Sequence, residues 1–211
     1  MPHLILLGDS IFDNAAYTSG GPDVVSQTRK LLPSGWTASL LAIDGSTTHE
    51  VAEQIHHLPT DATHLVLSAG GNDALIQSSV LDIPASSTAQ AVGFLADVAM
   101  QFEKEYRITV QACLRPRLPL TVCTIYNGCF PDREYQRIVS TALTVFNDAI
   151  LRVAIEHGLP VIDLRAVCAN PEDYANPIEP SSVGGQKIAR AIAALTTEPQ
   201  SYAAATRIVS G

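Results

Sequence analysis

The sequence predicts one α/β domain: a three-layer α/β/α sandwich with about five parallel strands. Short runs rich in Leu, Ile and Val alternate along the chain with longer stretches of helical period. Strands separated by helices return the chain to the same edge and therefore pair in parallel. The runs are nearly continuous in apolar residues, as strands covered on both faces must be. At 211 residues the chain is long enough for a full core without metals or disulfide staples. It carries no repeat, low-complexity block or second-domain linker, so one domain is assigned to 1–211. The tail from 195 to 211, with Tyr202, Ala203, Ala204 and Ala205, is left open between packing and fraying.

The elements follow in order. Residues 3–7 read as a buried strand, and Val24 to Leu32 as a helix stopped by Pro33-Ser34-Gly35. Residues 36–43 return to a strand. A helix from Thr47 to His57 follows, with Ser46 or Thr47 as N-cap. His64 to Ser68 is the third strand. Ser86-Ser87-Thr88 opens a long helix with Val92, Leu95, Ala96, Ala99 and Phe102 on one face. Leu120 to Tyr126 is a fourth strand, Tyr135 to His157 a helix closed by Gly158, and Pro160 to Leu164 a fifth strand. The last helix spans about Val183 to Leu195.

Composition narrows the partners. The chain is 46% hydrophobic and 16% charged, too apolar and too weakly charged for a disordered protein. Thirteen Lys+Arg against twenty-one Asp+Glu give a net charge of −8. A phosphate-gripping face needs clustered positive charge, so nucleic acid is not an expected partner. No apolar run approaches the roughly 20 residues that cross a bilayer, so integral membrane association is not expected. The stretch His3 to Leu7 is too short for a signal peptide's apolar region and lacks a basic lead, so a cytoplasmic location is expected. Cys113, Cys123, Cys129 and Cys168 form no C-x-x-C pair, and reduced thiols are expected. Oligomeric state is not addressed by these features.

In parallel sheets, ligands bind at the carboxyl ends of the strands. After the first strand comes Gly8-Asp9-Ser10, after the second Asp44-Gly45-Ser46, and after the third Gly70-Gly71-Asn72-Asp73. A loop beyond the fifth carries Asn176-Pro177-Ile178-Glu179-Pro180-Ser181. These segments meet on one rim and form an acyl-transfer set. Ser10 supplies a nucleophilic oxygen. The N–H groups of Ser10 and Gly45 and the Asn72 amide are donors for an oxyanion, each worth roughly 10²–10³ in rate where such donors have been measured. Glycine at 45 leaves room for close approach of a substrate oxygen, and an amide at 72 donates without competing as a base.

With these blocks in order, the chain resembles the SGNH (GDSL-type) hydrolases from end to end. The resemblance rests on Gly8-Asp9-Ser10-Ile11, Gly45, Gly70-Gly71-Asn72-Asp73, and Pro180-Ser181 followed by Gly184-Gly185-Gln186-Lys187-Ile188-Ala189. It implies a flavodoxin-like sandwich and hydrolysis of acyl esters or thioesters through a serine acyl-enzyme, without metal or cofactor. The last block departs from the family's Asp-x-x-His. In register with Pro180, Gly184 and Ile188, Asn176 stands at the Asp position and Glu179 at the His position, and no histidine follows His157.

A carboxylate base lacks the second N–H that an imidazole offers to its orienting Asp. It gains more from a donor, and the Asn176 amide is one. The expectation is therefore a Ser10–Glu179 dyad supported by Asn176, acting on small acyl esters, with His49 as the second choice of base. Plainer roles stand beside these: Ser10 as a cap, Asp9 as a loop brace, Asp73 as a turn or cap residue, Glu179 as a solvated surface group. His49, Glu53, His56 and His57 are read as a polar helix face rather than a metal site. Phe130 and Tyr126 are read either as acyl-pocket lining or as a lid on the core. Two other functions remain on the same scaffold: a non-catalytic ligand-binding protein, and an acyltransferase.

Overall fold

In a computed structural model of the chain, which describes residues 1–197 and 206–209, the strands form one parallel sheet. Its order is β2 (Thr37–Leu40), β1 (His3–Gly8), β3 (His64–Ser68), β4 (Leu120–Cys123), β5 (Val161–Ile162) and β6 (Ile208–Val209). The first five follow the flavodoxin-like order, whose direction reverses between β1 and β3. Ser10 follows β1 and Asn72 follows β3, so both emerge where crevices form in such sheets.

Alternation along β1 divides the core. Leu4 and Leu6 point to one face, joining Phe12, Val24, Ile162 and Ile188 under α1 (Val24–Leu31) and α7 (Ser182–Thr197). Ile5 and Leu7 point to the other, joining Leu67, Tyr106, Ile150 and Val153. That second layer is made by α2 (Thr48–Gln54), α4 (Thr88–Leu114) and α5 (Arg133–Glu156). With both sides covered, Leu4 to Leu7 are apolar on both faces, and all six residues of β1 are buried, the one polar side chain being His3 at its start.

Most boundaries fall where local chemistry places them. Asp23, Ser87 and Asp132 accept backbone hydrogen bonds as N-caps of α1, α4 and α5, and Thr47 opens α2 with Glu50 in a capping box. Gly158, at φ 62°, follows the C-terminal end of α5. All four cysteines are free. Burial pushes the thiols of Cys113 and Cys168 up to about 12, so both stay protonated at neutral pH.

Four differences from the sequence expectations have physical reasons. The sheet has a sixth strand, the two-residue β6, which pairs with β5 through Val161↔Ile208 and Ile162↔Val209; such a strand has no periodicity to detect. Tyr202 to Ala205 lie outside the described residues. The expected strands at 36–43, 120–126 and 160–164 are shorter, and Leu164 instead starts the one-turn α6 (Leu164–Val167). Gly71–Ile76 forms α3, a short helix not among the elements read from the sequence. Finally, the expected apolar face of α4 is core only in part: Ala99 and Phe102 are buried, but Val92 and Ala96 are exposed.

The helices α4 and α5 are long. At 27 and 24 residues they extend about 40 and 36 Å, whereas a strand of five or six residues covers no more than about 20 Å. α5 has the length and mean hydropathy of a membrane-crossing helix. Its C-terminal half nonetheless packs Phe146, Ala149, Ile150 and Val153 on the sheet. The buried residues of α4 begin at Ala99 and run toward β4. Both helices thus cover the sheet with their C-terminal halves and project their N-terminal halves past its carboxyl edge.

Candidate active site

The chain leaves β1 at Gly8, whose φ is 134° and whose missing Cβ would lie 1.8 Å from the Ser68 carbonyl oxygen. No other residue fits there. This close approach of β1 and β3 sets Asp9 and Ser10 beside the loop that carries Asn72. Asp9 closes a turn: its backbone oxygen accepts from the N–H groups of Phe12 and Asp13, and its carboxylate accepts from Ile11 N–H at 3.1 Å. The brace anticipated for Asp9 is therefore present. Ser10, 7% exposed, stands at the floor of a cleft holding about 950 Å³ with its open mouth included.

Asp9, Asn72 and Glu179 line the same cleft. Asn72, on the first turn of α3, donates through Nδ2 to the Ser46 carbonyl at 2.9 Å. This bond fixes the amide and ties the β3 loop to the β2 loop. Asp73 accepts from the N–H and hydroxyl of Thr48 at 3.0 and 2.7 Å, so it caps the start of α2 as the plainer reading had it.

Gly45 does not line the cleft. It borders a neighbouring depression with Ile43, Asp44 and Ser46, and an added Cβ would meet nothing within 4 Å. Its φ of 83° is itself a reason for glycine here. His49 is exposed on α2 and is absent from the cleft lining.

Glu179 is clamped from several sides. Its backbone oxygen accepts from Ala175 N–H at 2.9 Å, closing the turn that carries it. Tyr126 donates its hydroxyl to the Ile178 carbonyl, and Asn14, fully buried, donates to the Pro180 carbonyl at 3.2 Å. Asn176 plays a different part from the one expected. Its Oδ1 accepts from the N–H groups of Ile178 and Glu179, each at 3.0 Å. It holds the backbone of the turn instead of donating to the carboxylate. Below the turn, the buried Asp173 carboxylate pairs with Lys187 Nζ at 2.6 Å, and its backbone oxygen accepts from Ser181 N–H. Neither Asn14 nor Tyr126 carried a sequence signal for this role, because both partners are backbone carbonyls distant along the chain.

Glu179 is only 7% exposed, which removes the solvated-surface reading. Its Oε2 is buried without a hydrogen-bond partner among the described residues. Burial raises its pKa, the Ser10 hydroxyl works against that rise, and the Asp44 charge adds to it. Asp9 is buried more completely, and its carboxyl is pushed up to about 7, by desolvation first, with Glu179 and Asp73 adding repulsion against the Ile11 hydrogen bond.

A carboxyl whose folded pKa lies above its unfolded value stabilises the fold below the unfolded value. That stability is lost as pH rises through the folded one. Each pH unit between the two is worth about 1.4 kcal/mol, so up to about 4 kcal/mol is at stake. Asp9→Asn keeps an oxygen for Ile11 N–H without the charge. It is expected to be more stable than the wild type at pH 8 and to lose that advantage at pH 4, as read by urea unfolding. An advantage independent of pH would show that Asp9 ionises normally.

Among the described residues no group of His, Cys, Asp and Glu is arranged to hold a metal ion. The His56 ring pairs with Glu53 on the surface at 3.3 Å.

Comparison with known proteins agrees with this architecture. A lipase from Streptomyces rimosus superposes with a TM-score of 0.67 at 15% identity, over 93% of this chain and 100% of its own. A G-D-S-L family lipolytic protein from Veillonella parvula reaches 0.69 at 14% identity, over 94% and 100%. The lipase Lip_vut3 from a goat rumen metagenome reaches 0.68 at 18% identity, over 92% and 96%. At these identities the likeness shows the fold. No curated protein matches the sequence. The profile of the GDSL-like lipase/acylhydrolase family, however, matches residues 6–186, and the chain belongs to that family of hydrolases.

Proposed function

We propose that the protein is a serine esterase in which Ser10 is the nucleophile and Glu179 the general base. The observation that carries this reading is the buried Glu179 carboxylate beside the Ser10 hydroxyl, with one oxygen unpartnered in the same cleft. A buried acceptor without a donor is costly to a fold, and a catalytic role for this carboxylate accounts for keeping it.

The Ser10 Oγ proton passes to Glu179 as Oγ bonds to the ester carbonyl carbon, and the carbonyl oxygen becomes an oxyanion. The Ser10 N–H and the second hydrogen of the Asn72 amide, whose first is bound to Ser46, donate to it. Gly45 lies outside the lining of this cleft and takes no donor role. Collapse breaks the bond to the alcohol, which leaves with the proton from Glu179. Water then attacks the acyl carbon, gives a proton to Glu179, and the acid departs as Ser10 regains its own.

Burial tunes this base. An ordinary Glu is a weak acceptor for a serine proton, and a raised pKa brings it closer to the working pH. Covalent labelling by a fluorophosphonate tests the reading, since only an activated serine reacts. Labelling is expected in the wild type and absent in Ser10→Ala. An unlabelled wild type would favour a binding protein on this scaffold.

A further inference from the structure

From the projecting halves of α4 and α5 we infer that the protein selects esters of medium-length acyl chains, about eight to twelve carbons, held between those two helices. This rests on Ser10 as the nucleophile at the cleft floor.

Beyond the sheet's carboxyl edge the two helices have no strand to cover, yet they remain apolar toward each other. Leu95 of α4 and Val139, Ala142 and Leu143 of α5 line the cleft that begins at Ser10 and Glu179. Leu81 and Val80, in the short helical turn at Ser78–Asp82, also face this space. The wall on α5 runs from Tyr135 to Phe146, about 16 Å along the helix axis. That length accommodates an extended chain of about ten carbons at about 1.3 Å per methylene, and each methylene removed from water adds about fourfold to binding.

The polar content narrows the ligand. Among the described residues no Lys, Arg or His lines the cleft, and the ionisable lining groups besides Tyr126 and Tyr135 are Asp9 and Glu179, near the reacting serine. A fatty-acid anion has no counter-charge there and faces Glu179, whereas a neutral acyl chain fits. Ile76, Ile83 and Ile138, 66%, 47% and 41% exposed, continue the apolar character of α3, the following turn and α5 to the surface. This apolar surface, adjacent in sequence to the cleft-lining Leu75 and Val139, suits a substrate that arrives as an ester and not as a sugar or a small soluble acid.

The test is a chain-length series of p-nitrophenyl esters together with binding of 1-octanol and 1-butanol to Ser10→Ala by calorimetry. Wild-type kcat/KM is expected to rise on the order of 10²-fold from butyrate to octanoate. Leu143→Trp, and on the facing wall Leu95→Trp, are each expected to lower the octanoate-to-butyrate ratio at least about tenfold. Either folded variant suffices, as judged by thermal unfolding. Hydrolysis of butyrate with no gain for octanoate, and no preference for octanol in binding, would overturn the proposal and leave the esterase standing. Octanol binding without hydrolysis of any ester would keep the cleft assignment and remove the esterase.

Discussion

Ser10→Ala is expected to lower ester hydrolysis by on the order of 10⁴-fold or more, to the rate left by binding and oxyanion donors alone. The neighbouring polar groups do not replace it. Asp9 is committed to its turn, and the nearby Ser68 is only 3% exposed at the end of β3. The hydroxyl's interaction is with the Glu179 carboxylate and not with the packing of the core, so the variant is expected to unfold at close to the wild-type temperature. Hydrolysis of p-nitrophenyl octanoate by both proteins, beside their thermal transitions, separates loss of chemistry from loss of structure. Activity surviving within tenfold would assign the nucleophile elsewhere.

Glu179→Gln is expected to cost about 10²–10⁴-fold, the range of general acid–base catalysis. The amide has nearly the same shape, so the clamped turn is kept, and KM is expected to change far less than kcat. The pH profile provides the sharper reading. A base acts when ionised, so activity is present above the folded pKa of Glu179 and falls as pH drops through it. That pKa is raised by burial, so the acid limb lies above the pH at which an exposed glutamate titrates. Asp44→Asn removes a charge that raises it and is expected to move the limb to lower pH. A profile unmoved by Asp44→Asn, with Glu179→Gln as active as the wild type, would send the search for the base to another group.

The fold was predictable from the sequence because its signals are local. Leu, Ile and Val runs mark strands buried on both faces, and Thr47 and Ser87 mark helix starts by capping chemistry. What escaped detection depends on distant partners. Nothing near Ile208 announces that it will pair with Val161. Nothing around Val92 distinguishes an apolar residue facing a core from one on a projecting wall, because the helical period is the same. The candidate site divides similarly. Ser10, Asn72 and Glu179 were expected on one rim from their places after strands, and the structure brings them to one cleft. The part taken by Asn176 was misjudged, because side-chain chemistry alone does not tell which of an amide's two ends will be used. The backbone N–H groups of Ile178 and Glu179 needed acceptors, and they take the Asn176 oxygen.

The division of α4 and α5 into a half that covers the sheet and a half that walls the cleft bears on how this protein can change over generations. Substitution at Phe102 or Val153 disturbs a close-packed interior and endangers the whole fold. Substitution at Leu95 or Leu143 falls on partly exposed wall, where shape can drift at little cost in stability. Most mutations destabilise, and selection removes those that drop a protein below its threshold. A specificity surface built outside the sheet-packed core therefore leaves this chain free to try new substrates while its nucleophile and its turn-held carboxylate stay fixed.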